Sequence, residues 1–185
     1  MPYVLLTAQL LLVLVFAWSA LSKSTPGSFR AFHTSLAAFV PFGPATRKRL
    51  SAVVVGAELI VAPLIAVPAT KVLGLLVAAS ILAVFTIVMV RALRRGVHSP
   101  CNCFGSSGDV IAFPHVARNL FLLGTAVAGV ALAITQPPTP LSIPHYVVSV
   151  LVTAMLVLAI RLTDVIAFLF SPTSRRAGSQ PTGLT

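Results

Sequence analysis

Acidic residues are almost absent from this chain. Of its 185 residues only 3 are Asp or Glu, against 13 Lys or Arg, and charged residues make up 9% in total. A soluble domain carries about 25% charged residues, whereas 57% of this chain is hydrophobic. A soluble fold would have to expose that apolar surface to water, so the composition excludes a soluble domain and predicts a membrane protein.

Cysteine is also scarce, with Cys101 and Cys103 as the only two thiols. Two cysteines cannot supply the disulfide framework of a small secreted domain. The formal net charge of +10 does not indicate nucleic acid, because the basic residues lie in short segments between apolar runs and no nucleic-acid-binding motif is present.

Long runs of apolar residues make up most of the sequence. A run of about 18 or more apolar residues can cross the hydrocarbon core of a bilayer, which is about 30 Å thick. The sequence therefore predicts an all-α, polytopic transmembrane helix bundle in contact with the lipid bilayer. Its five spans are expected at about 3–21, 50–67, 72–90, 119–134 and 146–170. The fourth is short unless it begins near Phe113.

The polar segments complete the expected organisation. A signal peptide has a basic region before its apolar run, but no Lys or Arg precedes the first run here. This run is therefore predicted to be a retained span. Phe29–Phe42 has apolar residues on one helical face, which predicts a short interfacial helix. We therefore expect residues 1–170 to form one transmembrane domain. Residues 171–185 are rich in Pro, Gly, Ser and Thr and are expected to form a disordered cytoplasmic tail.

Basic residues alternate between the loops. They concentrate after the first span, after the third span and in the tail, whereas the turn after the second span has only Lys71 and the turn after the fourth has none. The basic residues of the three rich segments are Lys23, Arg30, Arg47, Lys48, Arg49, then Arg91, Arg94, Arg95, Arg118, then Arg175 and Arg176. The positive-inside rule places the N-terminus outside, and the C-terminus and the cysteine segment in the cytoplasm of a bacterial inner-membrane protein.

The two cysteines are the candidate catalytic residues. Two thiols one residue apart form only a small, strained ring, and strained disulfides are labile and oxidising. Arg94 and Arg95 favour the nucleophilic thiolate, so we expect thiol–disulfide exchange. Two alternatives remain. One is a metal site that uses His98 and His115 with the cysteines, although Cys-x-Cys is not the usual spacing. The other is a structural or inert pair.

Ionisable residues inside the spans are the second group of candidates. Glu58 lies in the second span, and Arg161 and Asp164 lie three residues apart in the fifth. An unpaired charge at such depth costs about 3 kcal/mol. Arg161 and Asp164 suit an ion pair within one helix. A wider reading links spans two and five through Glu58 and Arg161, in a network that would line a proton or quinone path.

Four features together resemble the MauE family of methylamine-utilisation membrane proteins and the wider DoxX-like group. The first span ends in Ser22-Lys23-Ser24-Thr25-Pro26, a Phe-bearing segment leads to Pro41, and the second span carries Glu58-Leu59. The most specific feature is Cys101-Asn102-Cys103-Phe104-Gly105. The resemblance covers about residues 3 to 135.

The resemblance implies a redox-associated membrane protein that assists maturation of the disulfide-rich subunit of methylamine dehydrogenase, together with a thioredoxin-like partner. Only Cys101 and Cys103 carry that role over. Disulfides form outside the cytoplasm, so either a cytoplasmic reductant supplies electrons or the topology is inverted. A quinone is a second candidate for the electron carrier. The alternative function is a non-enzymatic membrane scaffold or metal-binding subunit.

Overall fold

Six α-helices make up the described part of the protein. The computed structural model describes residues 2–38, 42–96, 113–136 and 142–169, and no strand occurs within these ranges. The helices are α1 Pro2–Ser22, α2 Pro26–Ser35, α3 Pro44–Ala66, α4 Lys71–Arg94, α5 Phe113–Thr135 and α6 Ile143–Leu169, with a 3₁₀ turn at Leu36–Ala38 after α2. All except α2 are long and apolar enough to cross a membrane. The predicted all-α bundle of five spans is confirmed.

Local sequence signals define several helix ends. Thr25 accepts a hydrogen bond from the Ser28 amide, and Pro26 occupies the first turn of α2, which is a common arrangement at helix starts. Gly96 follows α4 with a φ of 66°, the left-handed conformation in which glycine often ends a helix.

Among the spans, the starts of α3 and α5 differ most from the sequence expectation. The helix α3 begins at Pro44 and not near Leu50, so its first two turns include the basic residues 47–49. The helix α5 begins at Phe113, which gives the fourth span its full length. In both cases the helix continues past the apolar run into residues that suit the headgroup region.

Spans that follow one another along the chain run antiparallel. The helix α1 packs against α3 and α5, which run opposite to it, and against α6, which runs parallel to it. The end of α3 meets the start of α4, and the start of α6 meets the start of α1, where the Ser149 hydroxyl approaches the Tyr3 carbonyl at 3.5 Å. The ends of α1 and α4 and the starts of α3 and α5 therefore lie at one end of the bundle. We call it the basic end, because Arg47, Lys48, Arg49, Arg91, Arg94 and Arg118 belong to these helix termini.

The interior and the exterior of the bundle are both apolar. The main core cluster joins α1, α3, α4 and α5 and consists of Leu11, Leu12, Phe16, Val61, Ile65, Leu75, Ala78, Leu82, Leu122 and Ala126. Large apolar side chains such as Val84, Ile134 and Met155 point outward and are more than half exposed. Exposing so much apolar surface to water is unfavourable, whereas contact of this surface with lipid chains carries no such free-energy penalty.

A short helix does follow the first span, but α2 covers Pro26–Ser35 and not the expected Phe29–Phe42; a 3₁₀ turn occupies Leu36–Ala38, and residues 39–41 lie outside the described ranges. The apolar face of α2 packs against α3, and Phe32 is only 1% exposed. His33 Nε2 lies 3.2 Å from the Pro44 carbonyl oxygen and joins α2 to the start of α3. The expected tail, residues 171–185, lies outside the described residues.

We predict that Gly74→Ala destabilises the bundle. A Cβ at position 74 would lie 2.6 Å from the Ile65 amide nitrogen and 2.7 Å from the Leu64 carbonyl carbon, which are both backbone atoms. We expect a loss of about 1–3 kcal/mol, measured as thermal or denaturant unfolding in detergent. Gly124→Ala is the control, since its Cβ would meet nothing within 4 Å. Equal stability of the two variants would contradict the close packing of α3 on α4.

We also predict that the basic end faces the cytoplasm. A reporter fused after Gln136 should report an external position, and one fused after Ser171 a cytoplasmic position, because the Lys- and Arg-rich loops stay inside. Alkaline phosphatase and green fluorescent protein fusions measure the two sides independently. The opposite pair of signals would invert the topology.

Candidate functional site

The predicted site residues differ in how far the structure describes them. Cys101 and Cys103 belong to residues 97–112, which lie outside the described residues, between α4 and α5. Arg161 and Asp164 belong to α6, but their side chains are not among those described. Of the predicted residues, only Glu58 can be placed together with its contacts.

Glu58 faces the interior of the bundle. Its side chain is 2% exposed, and its Oε2 lies 2.8 Å from Lys23 Nζ in a buried ion pair. Its Oε1 accepts hydrogen bonds from Lys23 Nζ at 3.1 Å and from the Ser19 hydroxyl at 3.2 Å. Both carboxylate oxygens are therefore bound by groups at the C-terminal end of α1.

Lys23 is the residue that the sequence analysis misplaced. It was counted among the loop charges, yet it is 1% exposed. Its ammonium donates to the Ser19 hydroxyl at 2.6 Å and lies 5.2 Å from the centre of the Phe32 ring. The three protons of a lysine ammonium thus have acceptors in Ser19 and the two oxygens of Glu58.

The local chain path explains this arrangement. Ser19 and Lys23 are four residues apart, so they share one face of α1. The helix α1 ends at Ser22 and α2 begins at Pro26, and this reversal brings Phe32 back over the ammonium. The signal present in the sequence was the combination of a buried carboxylate, which needs a cation, with a lysine at the end of the adjacent span.

We call Ser19, Lys23, Phe32 and Glu58 the α1–α3 polar cluster. Its polar atoms are hydrogen-bonded to one another and its two charges cancel. Neither charged side chain is accessible to a substrate. The cluster is therefore suited to joining α1, α2 and α3, and it presents no free nucleophile or base.

The expected approach of Glu58 to Arg161 stays a prediction, since the Arg161 side chain is not described. The partners of the carboxylate that the structure does place come from α1. Glu58 lies eight residues before the end of α3 at Ala66, or about 12 Å along the axis. It is thus well inside the span.

A second polar cluster connects α4 to α5. Asn119, which is 1% exposed, donates from Nδ2 to the Leu82 carbonyl at 2.8 Å and to the Thr86 hydroxyl at 2.6 Å. Thr86 donates in turn to the Leu82 carbonyl at 2.7 Å. His115, 7% exposed, is one turn before Asn119 on the same buried face of α5. From the sequence, Asn119 is expected only at the start of the fourth span, and its contacts with α4 are not predicted.

This α4–α5 polar cluster fixes the two helices that carry the cysteine segment. Most buried polar side chains of the described ranges lie, like it, in the half of the bundle near the basic end. Because hydrogen bonds are directional and strong in an apolar interior, that half has one preferred arrangement. The cysteine segment therefore connects two helices whose positions relative to each other are fixed.

Metal ligands do not gather in the described ranges, where no three His, Cys, Asp or Glu side chains lie together. Cys101, Cys103 and His98 are not within those ranges. Metal binding by the cysteines therefore stays a prediction.

We predict that removing the charge of Lys23 or of Glu58 alone lowers the stability of the protein strongly, and that removing both charges lowers it less. Lys23→Met leaves a buried, unpaired carboxylate, and Glu58→Gln leaves a buried, unpaired ammonium. Each change should cost about 3–5 kcal/mol. The Lys23→Met/Glu58→Gln double variant leaves no charge and should recover a large part of that loss.

The measurement is unfolding of the purified protein in detergent. The control is Lys48→Met, which removes the same charge from an exposed position and should change stability by less than about 0.5 kcal/mol. Losses that simply add in the double variant would show that Lys23 and Glu58 do not interact.

Comparison with known proteins is consistent with these features. A family model described as methylamine utilisation protein MauE matches residues 1–132. The matched stretch includes Lys23, Glu58, Asn119 and the cysteine segment, and ends within α5. Among curated proteins and solved structures, none matches the chain.

Proposed function

Because the chain belongs to the MauE family of methylamine utilisation proteins, we propose that it supports thiol–disulfide exchange in the maturation of an extracytoplasmic protein. Its fold is that of a multi-pass membrane protein with five candidate spans. In this proposal Cys101 and Cys103 form the exchanging pair, and the client is a disulfide-bearing protein such as the small subunit of methylamine dehydrogenase.

The observation that carries the proposal is the sequence Cys101-Asn102-Cys103-Phe104-Gly105 within the matched range. These are the only two thiols of the chain, and their spacing is too short for a brace between distant parts of a fold. Two adjacent thiols can give up two electrons as they form a disulfide. The attacking thiolate first makes a mixed disulfide with a partner, and the second thiol resolves it.

The described helices support this role by the way they hold the segment. Residues 97–112 connect α4 to α5, and Asn119 binds both Thr86 and the Leu82 carbonyl across these two helices. A thiol pair mounted between two fixed helix ends can meet a soluble partner while the bundle stays in the membrane. The positive charges of Arg94 and Arg95 favour its thiolate form.

A thioredoxin-like protein is the partner that we propose for this pair. A single cysteine pair cannot carry electrons across a bilayer, so another thiol protein or a quinone must exchange electrons with it. The described residues form an apolar groove of about 630 Å³, lined by α1, α5 and α6 and including Tyr3, Leu132 and Val148. This groove lies toward the end of the bundle opposite the basic end, and so away from the end of α4 and the start of α5, which the cysteine segment connects. That position favours a soluble thiol partner.

The alternative function is a non-enzymatic scaffold for a partner complex. The observation that favours it is the α1–α3 polar cluster, whose charged groups are buried and paired and therefore serve assembly of the helices. A scaffold would tolerate serine at both cysteine positions, whereas a redox protein would not.

We predict that Cys101 and Cys103 cycle between dithiol and disulfide in the membrane. Cells are quenched with acid and alkylated with a maleimide mass tag, with and without prior reduction. Part of the protein should gain two tags only after reduction. The Cys101→Ser/Cys103→Ser variant should lose client maturation, whereas the matched Ser106→Ala/Ser107→Ala variant of the same segment should keep it.

Two results together would contradict the redox function. One is a pair that stays fully reduced in oxidising medium. The other is full client maturation by the double serine variant, which would favour the scaffold.

A further inference from the structure

The apolar groove of about 630 Å³ lies between α5 and α6, which both pack against α1 but touch each other little. On α6, the Ser149 hydroxyl approaches the Tyr3 carbonyl of α1 at 3.5 Å. On α5, a Cβ at Gly129 would lie 3.8 Å from the Ala8 Cβ of α1. The helix α1 therefore forms the floor of the groove, and α5 and α6 form its two walls.

The lining of the groove carries no charged side chain. All of its residues belong to the ranges 1–22 and 119–160, which contain no Asp, Glu, Lys or Arg. The Thr125 hydroxyl in its wall donates to the Phe121 carbonyl at 2.9 Å within α5, so it needs no partner in the groove. Apolar cavities do not hold water, and an empty groove would lose dispersion contacts. Hydrocarbon is therefore the chemistry that fills it.

The groove extends over about half of the membrane. Its lining runs from Phe121 to Leu132 on α5, or about 16 Å along the axis, and from Tyr3 to Leu11 on α1, or about 12 Å. The hydrocarbon core of a bilayer is about 30 Å thick, so one leaflet contributes about 15 Å. A transmembrane helix of a partner would need a groove that continues through both leaflets. The length therefore matches a lipid chain that enters from one leaflet.

Neutral hydrogen-bond donors lie at the mouth of the groove. Tyr3 lines it and stacks on the His145 ring, with 4.2 Å between the ring centres. The Ser142 amide donates to His145 Nδ1 at 3.2 Å, so the proton of the neutral ring is on Nε2. The Tyr3 hydroxyl and this N–H suit the ester and phosphate oxygens of a glycerophospholipid, and tyrosine is common at this level of a membrane. The three helices of the groove supply no Lys or Arg at this end to select an anionic headgroup.

We propose that this groove binds one acyl chain of a zwitterionic phospholipid, from the leaflet at the end of the bundle opposite the basic end. The chain fills the space between α5 and α6 and holds α6 to the bundle, while the headgroup lies beside Tyr3 and His145. The site does not depend on the thiol chemistry proposed above, so failure of one leaves the other standing.

Retention of lipid by the purified protein tests the site. The full chain is reconstituted in phosphatidylcholine that contains a small amount of ubiquinone, transferred to detergent and weighed by native mass spectrometry. Lipids that only surround the bundle exchange with detergent, whereas a chain held in the groove should stay. One retained phosphatidylcholine per chain supports the proposal. Retained ubiquinone, or a dimer without lipid, would assign the groove to another occupant and overturn it.

Larger side chains in the groove should displace the lipid. Gly124→Leu/Ala128→Leu adds bulk to the α5 wall, and retention should fall about tenfold because the added atoms take the space of the chain. The matched control is Ala52→Leu/Gly56→Leu, which changes the same residue types at the same spacing on α3, away from the groove. A Cβ would meet nothing within 4 Å at either glycine. The control should keep its lipid, and equal retention or equal loss in the two variants overturns the proposal.

A photoreactive lipid tests the position of the chain without any substitution. Phosphatidylcholine with a diazirine in the middle of one acyl chain is irradiated after the transfer to detergent, and labelled peptides are identified by mass spectrometry. The label should fall on residues 121–132 and 148–156, which form the two walls. Label concentrated on residues 52–63 of α3, or spread evenly over all spans, overturns the site even if Gly124→Leu/Ala128→Leu does not fold.

Discussion

The arrangement of the first three helices depends on the ion pair between Lys23 and Glu58. A charge alone at that depth costs about 3 kcal/mol, so each residue can be buried only with the other. The bond between Nζ and Oε2, 2.8 Å long, fixes which turn of α3 lies beside the end of α1. Phe32 then covers the ammonium, which requires the chain to reverse at Pro26. One electrostatic constraint thus determines the register of α1 against α3 and the position of α2.

The rest of the bundle follows from α1. It packs against α3, α5 and α6, and the apolar core cluster continues from Leu12 and Phe16 into α4 and α5. The α4–α5 polar cluster adds a directional contact that apolar packing cannot provide, since Asn119 has only a few geometries in which it reaches both Thr86 and the Leu82 carbonyl. Hydrogen bonds therefore fix α4 and α5, the helices on either side of the cysteine segment. The lipid-facing surface of the bundle makes only nonspecific apolar contacts.

Sequence reasoning predicted the fold class because bilayer thickness sets span length, and apolar runs report that length directly. It was less accurate at helix ends. Arg47, Lys48 and Arg49 interrupt the apolar run but not the helix, since a helix satisfies its own backbone in the headgroup region as well. Partner choice was the hardest part. Glu58 needs a cation, and the sequence offers both Lys23 and Arg161; the packing of α1 against α3 is what shows Lys23 beside it. The chemistry of Cys101 and Cys103 could be read from their spacing, whereas their surroundings lie outside the described residues.

The burial of Lys23 also changes how the charges of the chain are counted. The Lys23–Glu58 pair inside the bundle has no net charge, so Lys23 does not contribute to the charge difference that orients the protein. Without Lys23 the segment between α1 and the first turns of α3 still has Arg30, Arg47, Lys48 and Arg49. The alternation with the turn that holds only Lys71 is unchanged. The predicted orientation therefore depends on the basic residues outside the Lys23–Glu58 pair. Acidic residues are few, and among the described side chains the one ion pair is that of Lys23 and Glu58, so no described carboxylate neutralises the basic residues at this end of the bundle.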